Sequence, residues 1–343
     1  MSSETQETAG RGIGSWLPYA LAGVMAVVLV VITISRGGPS DAAKDTLGGK
    51  QLKIMAPADP GGGWDSTARA MQAALEPIVG RSEVYNVTGA GGTIGLSQFV
   101  NYEGQSNQLM VTGLVMVGAI AANEPKDTLE EVTPIAELVN EEQLIAVPKD
   151  SPIKDVGDLE AAMKKDIKKV AWAGGSAGGA EQILAGRIAQ ELKLDPADVN
   201  YIAHSGGGEA IATLLSRKDT VGVSSVSEFR PQIEAGKLRP IAVASGQRVA
   251  QLKETPTLKE SGIPVEVTNW RGVVAPPGIT KDQRHGLESI IVRMTKTKSW
   301  EDTLKREGWK SVVRVGEEFD TFLASEIKRV DAVVEELGIG KVE

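Results

Sequence analysis

Four glycine-rich stretches contain the residues of this sequence best suited to ligand binding. Each follows a short apolar run and leads into a helix-forming segment; they are PGGGWDST (60–67), VTGAGGTIG (87–95), AGGSAGGAEQ (173–182) and HSGGGEA (204–210). Glycine lets the backbone approach a ligand closely, and the first turn of a helix offers unpaired N–H groups and a positive dipole end. These properties favour an anion. Because one exposed helix terminus contributes only about 0.3–1 kcal/mol, several loops would have to converge on one cleft.

The loops do not fit a nucleotide, metal or other cofactor site. None ends in GK[ST], so the lysine of a P-loop is missing. The glycines at 89, 91, 92 and 95 do not match GxGxxG, and no acidic ribose partner follows about twenty residues later. His204 and His285 stand far apart, without a second ligand at metal spacing. We therefore predict neither a metal nor a cofactor.

One enzymatic alternative rests on Ser176. Residues 174–178 match GxSxG between a predicted strand and a predicted helix, as in a nucleophile elbow. His285 follows in the chain, and the acid of a triad would come from Asp195, Asp219 or Asp282. However, the oxyanion-type HSGGG lies after the serine and not before it, and no sequence feature selects one of the three acids. A serine hydrolase is therefore an alternative, and the prediction is that the protein is not an enzyme.

Composition limits the classes of partner. At 343 residues and 41% hydrophobic content, the chain can bury a sizeable core, and typical domain sizes favour two lobes. Its formal charge is −8, without a basic stripe interleaved with aromatic residues, which argues against nucleic acid as a partner. The absence of cysteine excludes disulfides, thiolate metal sites and a lipidated cysteine.

The N-terminal region shows the sharpest change in composition. Residues 16–34, WLPYALAGVMAVVLVVITI, contain no charged residue and are long enough to span a bilayer as a helix. The following SRGGPSDAAKD offers a poor cleavage site, which favours an uncleaved signal anchor over a signal peptide that is removed. Residues 1–15 then form a cytoplasmic or n-region tail. Residues 35–50 form a flexible linker to a domain that begins near Gln51.

From Gln51 onward, strand and helix patterns alternate. Strands are predicted at 51–56, 83–87, 108–113, 168–174, 199–203, 220–225 and 238–245, helices at 65–75, 179–192 and 209–215, and a crossing between lobes at 142–152. The C-terminal region reads as one strand followed by helical patterns from Thr280 to Leu337. Such alternation predicts an α/β fold with mainly parallel sheets.

The order of the motifs resembles a known family. The stretches that carry this resemblance are PADPGGGWDSTAR, VYNVTGAGGTIG, VPKDSPIKDVGDL, GGSAGGAEQILAG, HSGGGEAIATLL, PQIEAGKLRPIAV and TPTLKESGIPVEVTNWRGVVAPPG. Together they are similar to the substrate-binding proteins of tripartite tricarboxylate transporters, the TctC or Bug family. The resemblance extends from about Lys53 to the C-terminus.

The resemblance implies a type II periplasmic-binding-protein fold, in which two crossing strands join two α/β lobes that close on a small carboxylate. Lobe 1 would comprise residues 51–144 and 246–343, and lobe 2 residues 145–245. The glycines at 61–63 would present N–H groups to the ligand without any lysine. The implied ligand-binding residues are Gly61, Gly62, Gly63, Trp64, Asp65, Thr112, Gly113, Gly175, Ser176, Ala177, Gly178, Gly179 and Ser225. Ser225 belongs to Ser224–Phe229, a segment that the resemblance also places at the cleft.

Some roles stay open at this point. Asp65 either caps its helix or contacts the ligand, and Trp64 either packs under the loop or shields the ligand. The chain also departs from the family: many relatives have a histidine where it has Glu181, and an aromatic residue and a lysine where it has His204 and Ser205. A carboxylate at position 181 does not favour an anionic ligand, so the ligand of a relative cannot be transferred to this chain.

The expected function is that of a solute-binding protein for a small organic carboxylate, such as a di- or tricarboxylate. It would be anchored by its N-terminal helix at the extracytoplasmic face of the bacterial cell membrane, or be periplasmic if cleaved. It would act as a monomer and deliver its ligand to the large and small membrane subunits of a tripartite transporter. A carboxylate sensor that serves a signalling partner is the other non-enzymatic alternative.

Overall fold

The computed structural model describes residues 41–216 and 220–340 of the chain. The predicted transmembrane helix at residues 16–34 and the tail before it lie outside the described residues. Within the described ranges, no helix is both long enough and apolar enough to cross a membrane.

The described residues form alternating strands and helices. The strands are β1 (Lys53–Ala56), β2 (Glu83–Asn86), β3 (Gln108–Gly113), β4 (Thr133–Pro148), β5 (Ala171–Gly174), β6 (Asn200–Ala203), β7 (Thr220–Ser225), β8 (Leu238–Val243), β9 (Thr268–Ala275) and β10 (Lys310–Val315). The helices are α1 (Asp41–Thr46), α2 (Gly63–Val79), α3 (Thr93–Phe99), α4 (Leu114–Asn123), α5 (Val156–Lys165), α6 (Ala180–Glu191), α7 (Gly207–Ser216), α8 (Val226–Glu234), α9 (Lys281–Met294), α10 (Lys298–Glu307) and α11 (Glu317–Glu336).

Two sheets define two lobes. The first sheet has the strand order β2-β1-β3-β9-β4-β10, and α9 and α10 pack against α2 on this lobe, while α11 packs against α4. The second sheet has the order β6-β5-β7-β4-β8, with α5 to α8 following its strands in sequence. In each sheet the central parallel strand, β1 or β5, pairs in parallel with two neighbours, so the loops after the parallel strands of one sheet lie at the same edge of that sheet.

The strand β4 belongs to both sheets. Its residues Thr133–Glu142 pair with β9, and those from Gln143 onward pair with β7 and β8. The chain returns beside this crossing, where the Ala244 N–H donates to the Gln143 carbonyl at 2.8 Å and the Val267 N–H donates to the Ala244 carbonyl at 3.0 Å. Two adjacent crossing segments therefore join the lobes.

The prediction of mainly parallel sheets is wrong. Within the described residues, four strand pairings are parallel and five are antiparallel. The parallel pairings occur where helices separate consecutive strands, as the alternation predicted. The antiparallel pairings all involve β4, which runs from one lobe into the other, or β9, which follows the second crossing. Neither strand is joined to its antiparallel neighbours by the crossover helix that a parallel neighbour requires.

The lobes also touch at the mouth of the cleft between them. Gly118 of α4 lies so close to Gly178 that a Cβ at position 118 would overlap the Gly178 carbonyl oxygen. Gly178 itself has a φ of +76°, which glycine adopts readily. Near by, a Cβ on Gly91 would come within 3.4 Å of the Ser176 Cβ. The structure therefore represents a closed arrangement of the lobes.

Candidate ligand-binding site

All four glycine-rich stretches contribute to one cavity between the lobes, which has a volume of about 80 Å³. The residues that they contribute are Gly62, Gly63, Trp64, Gly89, Gly91, Gly92, Gly175, Ser176, Glu181, Ser205, Gly206 and Gly207. Loops that are far apart in sequence therefore converge on one cavity, as anion binding by several helix N-termini requires. Its small volume suits a small molecule.

The predicted site residues divide into two groups. Those that line the cavity are Gly62, Gly63, Trp64, Gly175, Ser176 and Ser225. Those that do not line it are Gly61, Asp65, Thr112, Gly113, Ala177, Gly178 and Gly179. Ligand contact stays a prediction for both groups. For the second group, the structure shows contacts within the protein.

Asp65 holds the first glycine loop together. Its carboxylate accepts hydrogen bonds from the Gly61 N–H, from Arg69 Nε and from Asn86 Nδ2, each at 2.9 Å. Burial opposes ionisation, but the hydrogen bonds from Arg69, Gly61 and Asn86 outweigh it and hold the pKa of Asp65 below its ordinary value. The carboxylate is thus engaged within the protein, and Gly61 is an exposed partner in the same loop.

Three further residues of the second group are engaged within the protein. The Thr112 hydroxyl is buried and donates to the Met116 sulfur at 3.4 Å, and a Cβ on Gly113 would overlap the Trp270 carbonyl oxygen on the neighbouring β9. The Gly178 N–H donates to Gln182 Oε1 at 2.8 Å, while Ala177 is exposed. Thr112, Gly113 and Gly178 therefore have contacts within the protein.

Trp64 and Ser225 line the cavity from opposite lobes. Trp64 is 6% exposed, and its ring lies so near Gly92 that a Cβ there would approach it to 2.6 Å. Ser225 ends β7, and its hydroxyl shares a hydrogen bond with the Ser227 hydroxyl at 3.2 Å. Trp64 therefore packs under the second glycine loop and also faces the cavity.

Arg271 of β9 is a cavity residue that sequence reasoning missed. Its guanidinium is buried, forms an ion pair with Glu141 and donates to the Gly63 carbonyl and the Thr67 hydroxyl, both at 3.2 Å. It also lies 5.1 Å from the centre of the Trp309 ring. Since Glu141 compensates its charge, Arg271 braces the start of α2 and carries little free positive charge for a ligand.

Two carboxylates also line the cavity. Glu228 of α8 accepts a hydrogen bond from the Ser224 hydroxyl and lies against Gly207, where a Cβ would not fit. Glu181 of α6 is 7% exposed and one of its oxygens, Oε2, has no hydrogen-bond partner within the described residues. Burial raises the pKa of Glu228, and burial together with the charge of Glu228 raises the pKa of Glu181 to about 7.

Neither histidine is placed to activate Ser176. His204 uses both ring nitrogens elsewhere, one 3.0 Å from the Gly174 carbonyl oxygen and the other 2.8 Å from the Thr213 hydroxyl. His285 lies in α9 on the first lobe, and no histidine within the described residues lines the cavity. The nucleophile elbow suggested by GxSxG thus has no general base beside it.

Comparison with known families identifies the family of this chain. Residues 67–339 match the model of the tripartite tricarboxylate transporter family receptor, TctC. The chain belongs to the TctC family. Among curated relatives of this TctC-family chain, BugT from Bordetella pertussis is 26% identical over 318 residues, covering 91% of this chain and 96% of BugT.

Solved structures share the fold. The periplasmic binding protein BugD has a TM-score of 0.76 at 22% identity, and the match covers 84% of this TctC-family chain and 98% of BugD. The protein MatC from Rhodopseudomonas palustris, solved with bound malate, has a TM-score of 0.72 at 23% identity, covering 83% of this chain and 98% of MatC. The two-lobed arrangement is therefore that of a periplasmic binding protein.

Proposed function

We propose that this protein is an extracytoplasmic receptor that captures a small organic carboxylate between its lobes. It then delivers the ligand to the large and small membrane subunits of a tripartite transporter. Membership of the TctC family supports the receptor role, and MatC supports the ligand class because that structural relative was solved with malate.

The convergence of four glycine-rich stretches on one cavity carries the proposal. Gly63 and Gly207 begin α2 and α7, so two helix N-termini from different lobes meet at the same small space. Backbone N–H groups and helix dipoles at such positions favour a carboxylate without a lysine. Ser176 and Ser205 line the same cavity, and their hydroxyls would supply further hydrogen-bond donors.

We propose further that residues 16–34 anchor the receptor in the cell membrane. The predicted linker at residues 35–50 is shorter than expected, because α1 (Asp41–Thr46) packs against α9 on the first lobe, and residues 35–40 would form the tether. The protein would work as a monomer, since a single cleft between its own lobes encloses the ligand. The serine hydrolase alternative is weaker, because Ser176 has no histidine beside it within the described residues. Transport and sensing would use the same closed lobes, so only the partner protein that the receptor binds distinguishes these two roles.

Native mass spectrometry of the purified full-length protein tests the ligand class. We expect a retained molecule whose mass, after release and fragmentation, corresponds to an organic carboxylate. Affinity purification from the native membrane would then recover both transporter subunits. Recovery of a signalling protein in their place would support the sensing alternative, and a retained molecule without a carboxyl group would contradict the proposal.

A further inference from the structure

The charge of the cavity is unsuited to a ligand that is only anionic. Three acidic residues line it, Asp59, Glu181 and Glu228, against the single basic residue Arg271 within the described lining. Arg271 is already paired with Glu141. Where these carboxyl groups are ionised, a dicarboxylate that entered this space would face an excess of negative charge in a setting where burial strengthens repulsion.

Two residues that line the cavity from different lobes each have a buried acceptor without a partner. Glu181 Oε2 and Asn269 Oδ1 are buried and have no hydrogen-bond partner within the described residues. Glu181 is 7% exposed and Asn269 of β9 is 5% exposed. An unpaired buried acceptor destabilises a protein, and more so when it is charged, so a ligand that donates to both atoms would remove this penalty.

The glycines around Glu181 provide room for its carboxylate at the cavity. A Cβ on Gly175 or Gly179 would stand 3.2 Å or 3.0 Å from Glu181 Oε2. These two glycines therefore accommodate the side chain of Glu181 as well as offering bare backbone. The loop is built around an acidic residue and does not present only N–H groups to an anion.

The carboxylate of Glu228 lies near the first residues of two helices. Its carboxylate lies against Gly207, the first residue of α7, and interacts with the N–H of Gly63, the first residue of α2. Part of the positive potential of these termini is therefore used by the protein itself. Ser176 and Ser205 also line the cavity, and their hydroxyls would be donors for one ligand carboxylate.

We propose that the ligand is a zwitterion that carries a protonated amino group beside its carboxylate, and that Glu181 and Asn269 accept hydrogen bonds from this amino group. An amino acid is the simplest molecule of this class. The inference rests on the proposed function, because it adds a second recognition element to a carboxylate site. It also accounts for an acidic residue at position 181 in the cleft of a carboxylate receptor.

Matched ligand pairs test the inference on the purified full-length protein. Each amino acid is titrated calorimetrically beside the acid of the same skeleton that lacks the amino group: aspartate with succinate, glutamate with glutarate, leucine with 4-methylpentanoate and phenylalanine with 3-phenylpropionate. We expect at least one amino acid to bind 10-fold or more tightly than its partner acid. An excess of affinity for the deaminated acid in every pair that binds would overturn the inference and leave the proposed function intact.

Substitutions of Glu181 and Asn269 test whether these two residues bind the amino group of the ligand. Glu181→Gln keeps the shape of the side chain and removes its charge, so it should weaken the preferred amino acid 10- to 100-fold and leave the affinity for the deaminated acid unchanged or higher. Asn269→Ala should weaken the amino acid about 5-fold through the second acceptor. Glu191→Gln is the matched control, because Glu191 is an exposed residue of the same helix.

The outcomes separate the two proposals. If Glu181 were protonated and donated to a ligand carboxylate, Glu181→Gln would retain binding of both members of a pair, which would overturn the inference alone. Unchanged amino-acid affinity in both Glu181→Gln and Asn269→Ala would also overturn it. Failure of every amino acid and every deaminated acid to bind would overturn the inference and the proposed function together.

Discussion

At the residue scale, the charged side chains of the site differ in whether their charges and hydrogen-bonding atoms are paired within the protein. Arg271 is matched by Glu141, and Asp65 is surrounded by donors, so both are internal supports of the first glycine loop. Glu181 is different, because one of its carboxylate oxygens is buried and has no partner among residues 41–216 and 220–340. A residue held in this way in the free protein is poised to gain from a ligand.

Glu181 should make stability depend on pH. Burial raises its pKa to about 7 from an ordinary 4.5, so the folded protein binds this proton more tightly than the unfolded chain. The resulting stabilisation is complete below about pH 4.5 and is lost as pH rises through about 7. We expect this group to reduce the free energy of unfolding by on the order of 2 kcal/mol between pH 5 and pH 8.

Denaturant unfolding of the ligand-free protein at both pH values measures this effect. Glu181→Gln should become more stable relative to the wild type as pH rises, whereas Glu191→Gln should follow the wild type. Glu137, whose pKa burial also raises to about 7, contributes a slope of the same sign to all three proteins. Parallel pH profiles for the wild type and Glu181→Gln would contradict the assignment.

At the scale of elements, the sequence predicts features that depend on neighbouring residues. It does not predict features that depend on pairing between distant strands. The glycine loops, the first strand of each lobe and the helices after them follow from turn residues and periodicity. By contrast, β4 holds Glu137 and Glu141 within a buried strand, and their partners Arg314 and Arg271 come from β10 and β9. A pattern confined to a few residues cannot show such pairing, which is why β10 was read as part of a helical region.

The same limit explains the site residues that were missed. Arg271 stands in the apolar run WRGVV, where a charged side chain must find a partner if the strand is buried, so a signal was present. Glu228 falls within the segment that the family resemblance implied at the cleft. Asn269 carried no local signal, since only the tertiary fold brings its unpaired oxygen to the same cavity as Glu181.

The contact between α4 and the Gly178 loop gives a prediction about closure. Gly118→Ala would place a Cβ onto the Gly178 carbonyl, so the lobes should separate at the cleft mouth. We expect a larger radius of gyration in small-angle scattering and about 10-fold weaker ligand binding. Gly208→Ala in α7 is the control, because an added Cβ there meets nothing within 4 Å. Equal radii and affinities for both variants would show that this contact does not govern closure.

At the scale of the whole molecule, two lobes joined by adjacent crossing segments allow a hinge motion that encloses a ligand. The crossings at β4 and at residues 244–267 contain Gln143 and Ala244, which are hydrogen-bonded to each other, so the hinge is a paired structure and not two independent linkers. Closure brings loops of both lobes to one cavity, which joins the fold directly to the receptor function.

Calorimetric titration of wild-type and Ser176→Ala full-length protein with amino acids, dicarboxylates and tricarboxylates tests the central claim most directly. If Ser176 donates to a ligand carboxylate, its loss removes roughly 1.5–3 kcal/mol, which lowers affinity by on the order of 10- to 100-fold while the fold survives. Ser325→Ala on α11, far in the chain from the cleft loops, should bind as the wild type does. Saturable carboxylate binding that weakens only in Ser176→Ala is the predicted result. Absence of saturable binding of any organic carboxylate to the wild type would contradict the account.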